Sequence, residues 1–423
     1  MMFIYKIIGF LVFCAVYPYG RLKAAAGDPL WRGRLALLKG LAAENLWFHA
    51  ASVGEVRIIG FLVEYLLDIK PDLSIFLTVM TRTGYKTAVS TIGDRVTVAF
   101  FPFDVPSLIK RTLDRLRPEM IVIAETEIWP NLISEASSRK IPLVLINGRM
   151  SEKSFKKYKL FKASFGRLLR KYERFFFKTV EDRNRYLYFD IDENRAVTAG
   201  DMKFDAPLPD RSEEKIIHIR ERIGLKRDDF VLVAGSTRPG EEAMLVDIYR
   251  RLKPKYRNLA FVLAPRHLER LVEIKALLER LDVSYNIYDG RSLTGFGKAS
   301  NDHDRASFIL IDRMGLLNEF YLAADLAFVG GTMVPIGGHN LLEPVWAGTP
   351  VVYGSSLENV REAAEYIEAG QYGDRVNSVV ELERVIEEVC LGHLSFAVKT
   401  EADIQKSATS QIGRYILERT GYA

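Results

Sequence analysis

The sequence predicts an α/β protein built from two doubly wound, Rossmann-like domains. Three observations predict it. The chain has 423 residues, more than a single hydrophobic core usually serves. From about Leu46 onward, short apolar runs alternate with helical patterns, which implies βαβ units and a parallel sheet covered on both faces. A Pro- and charge-rich connection, "GDMKFDAPLPDRSEEK", divides two such series.

The first element stands apart. "MMFIYKIIGFLVFCAVYPYG" is almost wholly apolar, with Lys6 its only charge before Arg21. A signal peptide, a membrane anchor and a buried helix compete for it. Lys6 inside the run and Lys23 in "LKAAAG" suit a signal peptide poorly. The run is slightly short for a full span, but tyrosines near its end suit an interface. Arg21, Lys23, Arg32 and Arg34 then favour holding the following domain in the cytoplasm, close to anionic headgroups. The favoured reading is a membrane anchor helix over 1–22.

The first domain is expected over 40–208. Its strands are read in "LWFHA", "SIFLTVM", "EMIVIAETE" and "IPLVLING", each followed by a helical pattern. The last leads into Arg149–Arg174, which holds ten lysines and arginines, with Phe155, Tyr158, Phe161 and Phe165 at 3–4 spacing. This predicts a basic amphipathic helix suited to a membrane surface or a phosphorylated acceptor; a solvated helix packed on its aromatic stripe is the alternative. The second domain is expected over 209–402, with strands in "FVLVAGS", "LAFVLAPRH", "SFILIDRM", "LAFVGGT" and "TPVVYG". Gly290–Ala306 is polar and glycine-rich and predicts a surface loop. A C-terminal helix is expected over 403–423, with the option of packing back on the first domain.

Composition narrows the function. Apolar residues at 48% and charged residues at 27% exclude global disorder, and a net charge of +5 does not announce a nucleic-acid binder. Two cysteines, and six histidines without H-x-x-x-H spacing, leave no metal site expected.

In open parallel sheets ligands bind beyond the carboxyl ends of the strands, so the residues after each apolar run are the candidates. In the second series Ser236 and Thr237 follow one run, as helix caps or ligand contacts. Arg266 and His267 follow another. A third run enters "GGTMVPIGGHNLLEPVWAGTPVVYG", with Asn340 near a helix start and Glu343 in its first turn. Together these suit an anionic nucleotide. Glycines such as Gly337 and Gly338 let backbone amides approach phosphate, an arginine grips it, and an acidic side chain accepts from a ribose diol. Each residue has a plainer role open to it: a turn at Gly337–Gly338, a capping or core His339, a surface pair of Arg266 with Glu269, a dipole role for Glu343.

In the first series Glu55 follows "LWFHAASVG" at a helix start, where the dipole should keep it ionised and able to accept a proton. Stabilising its own helix is the plainer role. Glu125 and Glu127 follow "MIVIA". If on a strand they share a face, which calls for a sugar hydroxyl partner or a salt bridge to Arg149.

The ordered set "HAASVGE", "TRTGYKTA", "AETEIWPN", "INGRMSEKS", "GDMKFD", "LAPRHLER" and "FVGGTMVPIGGHNLLEP" resembles the 3-deoxy-D-manno-octulosonic acid (Kdo) transferases of Gram-negative bacteria, nearly from end to end. That resemblance implies a glycosyltransferase B fold, two Rossmann-like domains facing a cleft. It implies transfer of Kdo from CMP-Kdo to a hydroxyl of a lipid A precursor of the lipid IVA type, by an inverting displacement without metal or cofactor. The implied location is the cytoplasmic face of the bacterial inner membrane. By position, Glu55 resembles the general base, and Glu125 a residue beside the reacting sugar. Pro265, Arg266 and His267, then Met314, Gly315 and Leu316, then Gly337, Gly338 and Asn340, Leu341, Leu342 and Glu343 resemble the CMP-binding set. Leu316 stands where a glutamate is expected, and "INGRM" replaces a more familiar "NARL". The runner-up readings are a sugar-nucleotide epimerase or another transferase of the same fold, and a catalytically silent lipid-binding membrane protein.

Overall fold

The computed structural model describes residues 2–37, 46–291, 293–296 and 307–422. The chain divides into two compact units, one of Met1–Ala206 with Ala402–Ala423, the other of Pro207–Glu401. Residue 40, the expected start of the first domain, lies outside the described residues.

The first unit holds a seven-stranded sheet: β1 (Leu46–Ala50), β2 (Ile75–Val79), β3 (Thr97–Phe100), β4 (Met120–Ala124), β5 (Leu143–Gly148), β6 (Arg174–Phe177) and β7 (Ala196–Thr198). The order is β3-β2-β1-β4-β5-β6-β7, with every pairing parallel. All five residues of β1, β2 and β4 are buried, because helices cover both faces of the sheet. The helix Val53–Ile69 buries Val56, Ile59, Leu62, Val63 and Leu66 at helical spacing on one face.

The C-terminal helix Ala408–Thr420 packs against it. Gly413 sits where any Cβ would strike the Tyr65 ring, and Ile412, Ile416 and Leu417 join the same core. Arg419 then pairs with Glu173 at 2.6 Å. The chain therefore completes its first unit only after building its second.

The basic stretch differs from the single helix that its composition predicts. It forms two short helices, Glu152–Lys159 and Lys162–Leu169, and ends in β6. Phe165 is buried and stacks on Tyr158 at 4.2 Å, while Phe155 meets Phe189 edge-on at 5.9 Å. Most of the aromatic stripe is core packing, because these rings cover one face of the sheet. Leu160 and Phe161 stay exposed at the break between the helices.

The second unit holds eight strands: β8 (Phe230–Thr237), β9 (Leu259–Pro265), β10 (Tyr285–Tyr288), β11 (Leu293–Phe296), β12 (Phe308–Ile311), β13 (Leu326–Val329), β14 (Val351–Tyr353) and β15 (Gly373–Arg375). Their order is β11-β10-β12-β9-β8-β13-β14-β15, with only β10–β11 antiparallel. Part of the expected loop over Gly290–Ala306 is thus strand β11, and residues 297–306 lie outside the described set. In the first sheet the winding reverses once, between β1 and β4; in the second, β12 turns back to lie between β9 and β10, while β8 and β13 likewise part strands that run to opposite edges. Loops leaving these strands diverge there, opening the crevice where doubly wound folds bind ligands.

Candidate functional site

In the first unit the switch point is flanked by carboxylates. Ser52 caps the helix Val53–Ile69, its Oγ accepting from the Glu55 amide at 3.3 Å. Glu55 answers as in a capping box. Its Oε1 accepts from the Ser52 hydroxyl and its Oε2 from the Ala51 amide, both at 2.8 Å. The carboxyl is held at a strand end with only 6% of the residue exposed. Burial raises its proton affinity, and the Glu127 charge adds to this, against the hydrogen bonds from Ala51 and Ser52. Burial thus outweighs the helix terminus that the sequence suggested would dominate, and the result is a more basic carboxylate.

Glu125 and Glu127 do not share a strand face. β4 ends at Ala124, and Glu125 takes a left-handed backbone at φ 54°, its amide donating to Ile146 O at 2.9 Å. Burial and then the Glu55 charge raise the Glu125 proton affinity, while Arg149 and Lys178 oppose them. Burial raises Glu127 as well, with Glu125 adding to it. Glu127 lies 4.0 Å from Nε2 of His49, a fully buried ring on β1. The Thr78 hydroxyl donates to Phe48 O and accepts from Trp47 Nε1. Nδ1 of His49 therefore donates to Thr78 Oγ1 at 3.0 Å, which leaves the Nε2 lone pair facing Glu127. Burial pushes the His49 pKa down to about 3, so the ring is neutral.

The motif "GDMKFD" closes this side of the unit. Asp201 pairs with Lys178 at 2.6 Å and with Lys203 at 3.4 Å, and the Met202 amide donates to Asn147 Oδ1 at 3.0 Å.

In the second unit the organising residues are two that the sequence reading passed over, Arg238 and Glu241 of "GSTRPGEE". Glu241 is buried beneath the glycine loop and accepts four amides: Arg238 at 2.9 Å, Gly331 at 2.8 Å, Thr332 at 3.1 Å and Met333 at 3.0 Å. Arg238 donates through Nε to His339 Nε2 at 2.9 Å, and its Nη1 lies 2.8 Å from His267 Nε2. A guanidinium only donates, so both imidazoles present Nε2 as acceptor and are neutral. Arg238 makes no ion pair among the described residues. Ser236 and Thr237 do not cap the next helix, whose N-cap is Gly240.

The expected nucleotide contacts fall into distinct groups. Pro265 ends β9, and Arg266 and His267 are exposed just beyond it. Glu269 lies 3.4 Å from His267 Nδ1, the neighbour the sequence offered to Arg266. Met314 and Gly315 are exposed, Gly315 with φ 90°, and Leu316 is the N-cap of the helix Leu317–Leu322. Asn340 is exposed; its Nδ2 donates to Glu343 Oε1 at 3.1 Å and its Oδ1 accepts from the Leu342 amide. Leu341 and Leu342 bury their side chains, so any contact they make with a ligand is through the backbone.

Gly337 and Gly338, at φ 93° and 83°, make the tight turn. Their amides donate to Ser356 Oγ at 2.9 Å and Gly331 O at 2.8 Å. They brace the loop; they do not stand open to a phosphate. Arg238 and Arg266 both lie close enough to His339 to lower its proton affinity, which puts two cations at this rim.

The chain is similar to several known proteins. The family model for 3-deoxy-D-manno-octulosonic-acid transferase (kdotransferase) matches residues 30–206. A 3-deoxy-D-manno-octulosonic acid transferase of Haemophilus influenzae is 32% identical over 370 residues, covering 85% of this chain and 84% of that one. A bifunctional glycosyltransferase/methyltransferase of Fusobacterium nucleatum is 34% identical over 349 residues, 82% of this chain; the chain spans about half (52%) of that relative's length. Among solved structures, UDP-GlcNAc 2-epimerase from Neisseria meningitidis bound to UDP-GlcNAc superposes with a TM-score of 0.52 at 15% identity, over 90% of this chain and 100% of that one. That likeness speaks for the two-sheet fold alone.

Proposed function

The chain belongs to the Kdo transferase family of glycosyltransferases, and from that premise we propose that it transfers Kdo from CMP-Kdo to a hydroxyl of a lipid A precursor of the lipid IVA type. The place of work in this reading is the cytoplasmic face of the bacterial inner membrane, during lipopolysaccharide core synthesis. The observation that carries it is Glu55, a buried carboxylate clamped by Ser52 and Ala51 with a raised proton affinity.

Among the described residues each oxygen of Glu55 accepts one hydrogen bond, so lone pairs remain for an acceptor hydroxyl. The carboxylate takes the hydroxyl proton as the alkoxide-like oxygen bonds to the anomeric carbon. The bond from that carbon to the CMP phosphate oxygen breaks on the opposite face, and CMP leaves with the electron pair. One displacement inverts the anomeric centre. Arg238 and Arg266 supply the fixed positive charge for the departing phosphate, so the reading needs no metal ion or cofactor. Glu343 and Asn340 hold the nucleoside end. Glu125, beside the reacting sugar, is pushed toward its neutral form by burial and by Glu55.

The experiment is Glu55→Gln, assayed for transfer from CMP-Kdo. The expected kcat falls roughly 10²–10⁴-fold, the usual worth of a general base, with CMP binding unchanged. In the parent chain the rate should fall as pH drops through the raised Glu55 pKa, because the base must be unprotonated. The variant should lose that limb. Parent-like turnover in the variant would remove Glu55 from the mechanism.

A further inference from the structure

The helix Met2–Ala25 is long and apolar enough to cross a membrane. Its packing argues otherwise. From Tyr5 onward, the residues not exposed on its first six turns are Tyr5, Gly9, Phe13, Val16, Gly20 and Ala24. The spacing is 4, 4, 3, 4 and 4, one continuous stripe along the helix.

The stripe is covered by the first unit itself. The Tyr5 hydroxyl donates to Asp104 Oδ2 at 2.9 Å, and the buried Asp104 also caps the helix Pro130–Ser138 through the Asn131 and Leu132 amides. Phe13 packs on Phe103 and against Val105 and Leu108. Gly20 touches the Trp31 ring, where a Cβ would collide, and Arg32 Nε donates to Ala24 O at 3.2 Å. Outside the stripe Ile7, Leu11 and Leu22 are exposed on the opposite side of the helix, with Ile8, Phe10 and Val12 exposed on its flanks.

Tyr5 and Ala24 are 19 residues apart, roughly 28 Å of helix and close to the whole hydrocarbon thickness of a bilayer, about 30 Å. A crossing helix that kept these contacts would carry Asp104, bound at the Tyr5 end, across the hydrocarbon from the Ala24 end. That is the place where charged groups are least tolerated. A helix lying in the interface keeps every contact and still buries its outer apolar face.

We propose that Met2–Ala25 is an in-plane membrane-surface helix docked along the first unit, with both of its ends on the side of the bilayer that carries that unit. Its partner is the surface of an anionic bilayer. Charge favours that occupant: Lys6, Arg21 and Lys23 are exposed on the helix itself. Lys6 also lies close enough to Lys171, at the end of the basic stretch, that it adds to burial in lowering the proton affinity of Lys171. The proposal rests on the reading that the chain works at a membrane.

The test expresses the full chain with one protease-cleavable tag before Met1 and another after Ala423, in right-side-out and inside-out membrane vesicles. Both tags should be cut in inside-out vesicles and neither in right-side-out ones. Cleavage of the first tag in right-side-out vesicles overturns the proposal in favour of a spanning helix while leaving the transferase reading untouched. A second arm replaces Ile7 and Leu11, both on the outer face, with glutamate. Two apolar side chains withdrawn from lipid should shift the membrane-to-soluble partition at least roughly tenfold. Transfer to detergent-dispersed acceptor should persist. An unshifted partition, or a parent chain recovered in the soluble fraction as a dimer cross-linkable through Cys14, also overturns it.

Discussion

Arg238 carries a charge that no described carboxylate pairs with, and it spends two donors on neutral histidines. A phosphate arriving there exchanges those neutral acceptors for an anionic one, and charge-assisted bonds are worth about 1.5–3 kcal/mol. Arg238→Gln should therefore weaken CMP binding roughly 10–100-fold by calorimetry while leaving cytidine binding unchanged. Equal losses for both ligands would move Arg238 from phosphate contact to loop support. The sequence hid this residue because its partners His267 and His339 lie 29 and 101 positions away, and only the fold joins them. The place of Glu55 at a helix start was legible because that start and its capping serine are local. The pairing of Glu125 with Glu127 was misread because no local pattern marks a strand that ends at Ala124, three residues short of Glu127.

At the scale of elements, the glycine loop after β13 is shaped from below by a single buried carboxylate. Glu241→Ala removes the acceptor of four amides, two of them fully buried with it. Each buried donor left without a partner costs about 1–3 kcal/mol, so the second unit should lose roughly 3 kcal/mol or more. Hydrogen exchange should show the extra opening concentrated at Gly331, Thr332 and Met333. A variant of parental stability and protection would mean that the loop holds its shape without Glu241. Central strands such as β1, β4, β8 and β9 were legible because burial on both faces leaves continuous apolar runs. β3 exposes its first residue, and β7 and β15 have three residues each, so they give no such signal. The basic stretch read as one helix because its aromatic spacing carries across Leu160–Phe161, and periodicity does not reveal a break that tertiary packing imposes.

Across the whole molecule, both units share one feature: adjacent strands (β1 and β4, β8 and β13) lead to opposite edges of a mostly parallel sheet, and the candidate residues lie at the carboxyl ends of such sheets. The first unit gathers carboxylates suited to deprotonating an alcohol. The second gathers cations suited to a departing phosphate. The return of Ala408–Thr420 to the first unit was outside what periodicity could decide, since its partner Val53–Ile69 is more than 300 residues earlier. On the proposed reading, with an acceptor base in the first unit and a donor site in the second, turnover should need both substrates. The most direct measurement incubates the purified full-length chain with CMP-Kdo and lipid IVA, and reads the lipid by mass spectrometry and the CMP by chromatography. The account predicts a Kdo-bearing lipid, with one CMP released for each Kdo added. CMP released without any lipid adduct, or an adduct formed from a UDP-sugar in place of CMP-Kdo, would contradict it.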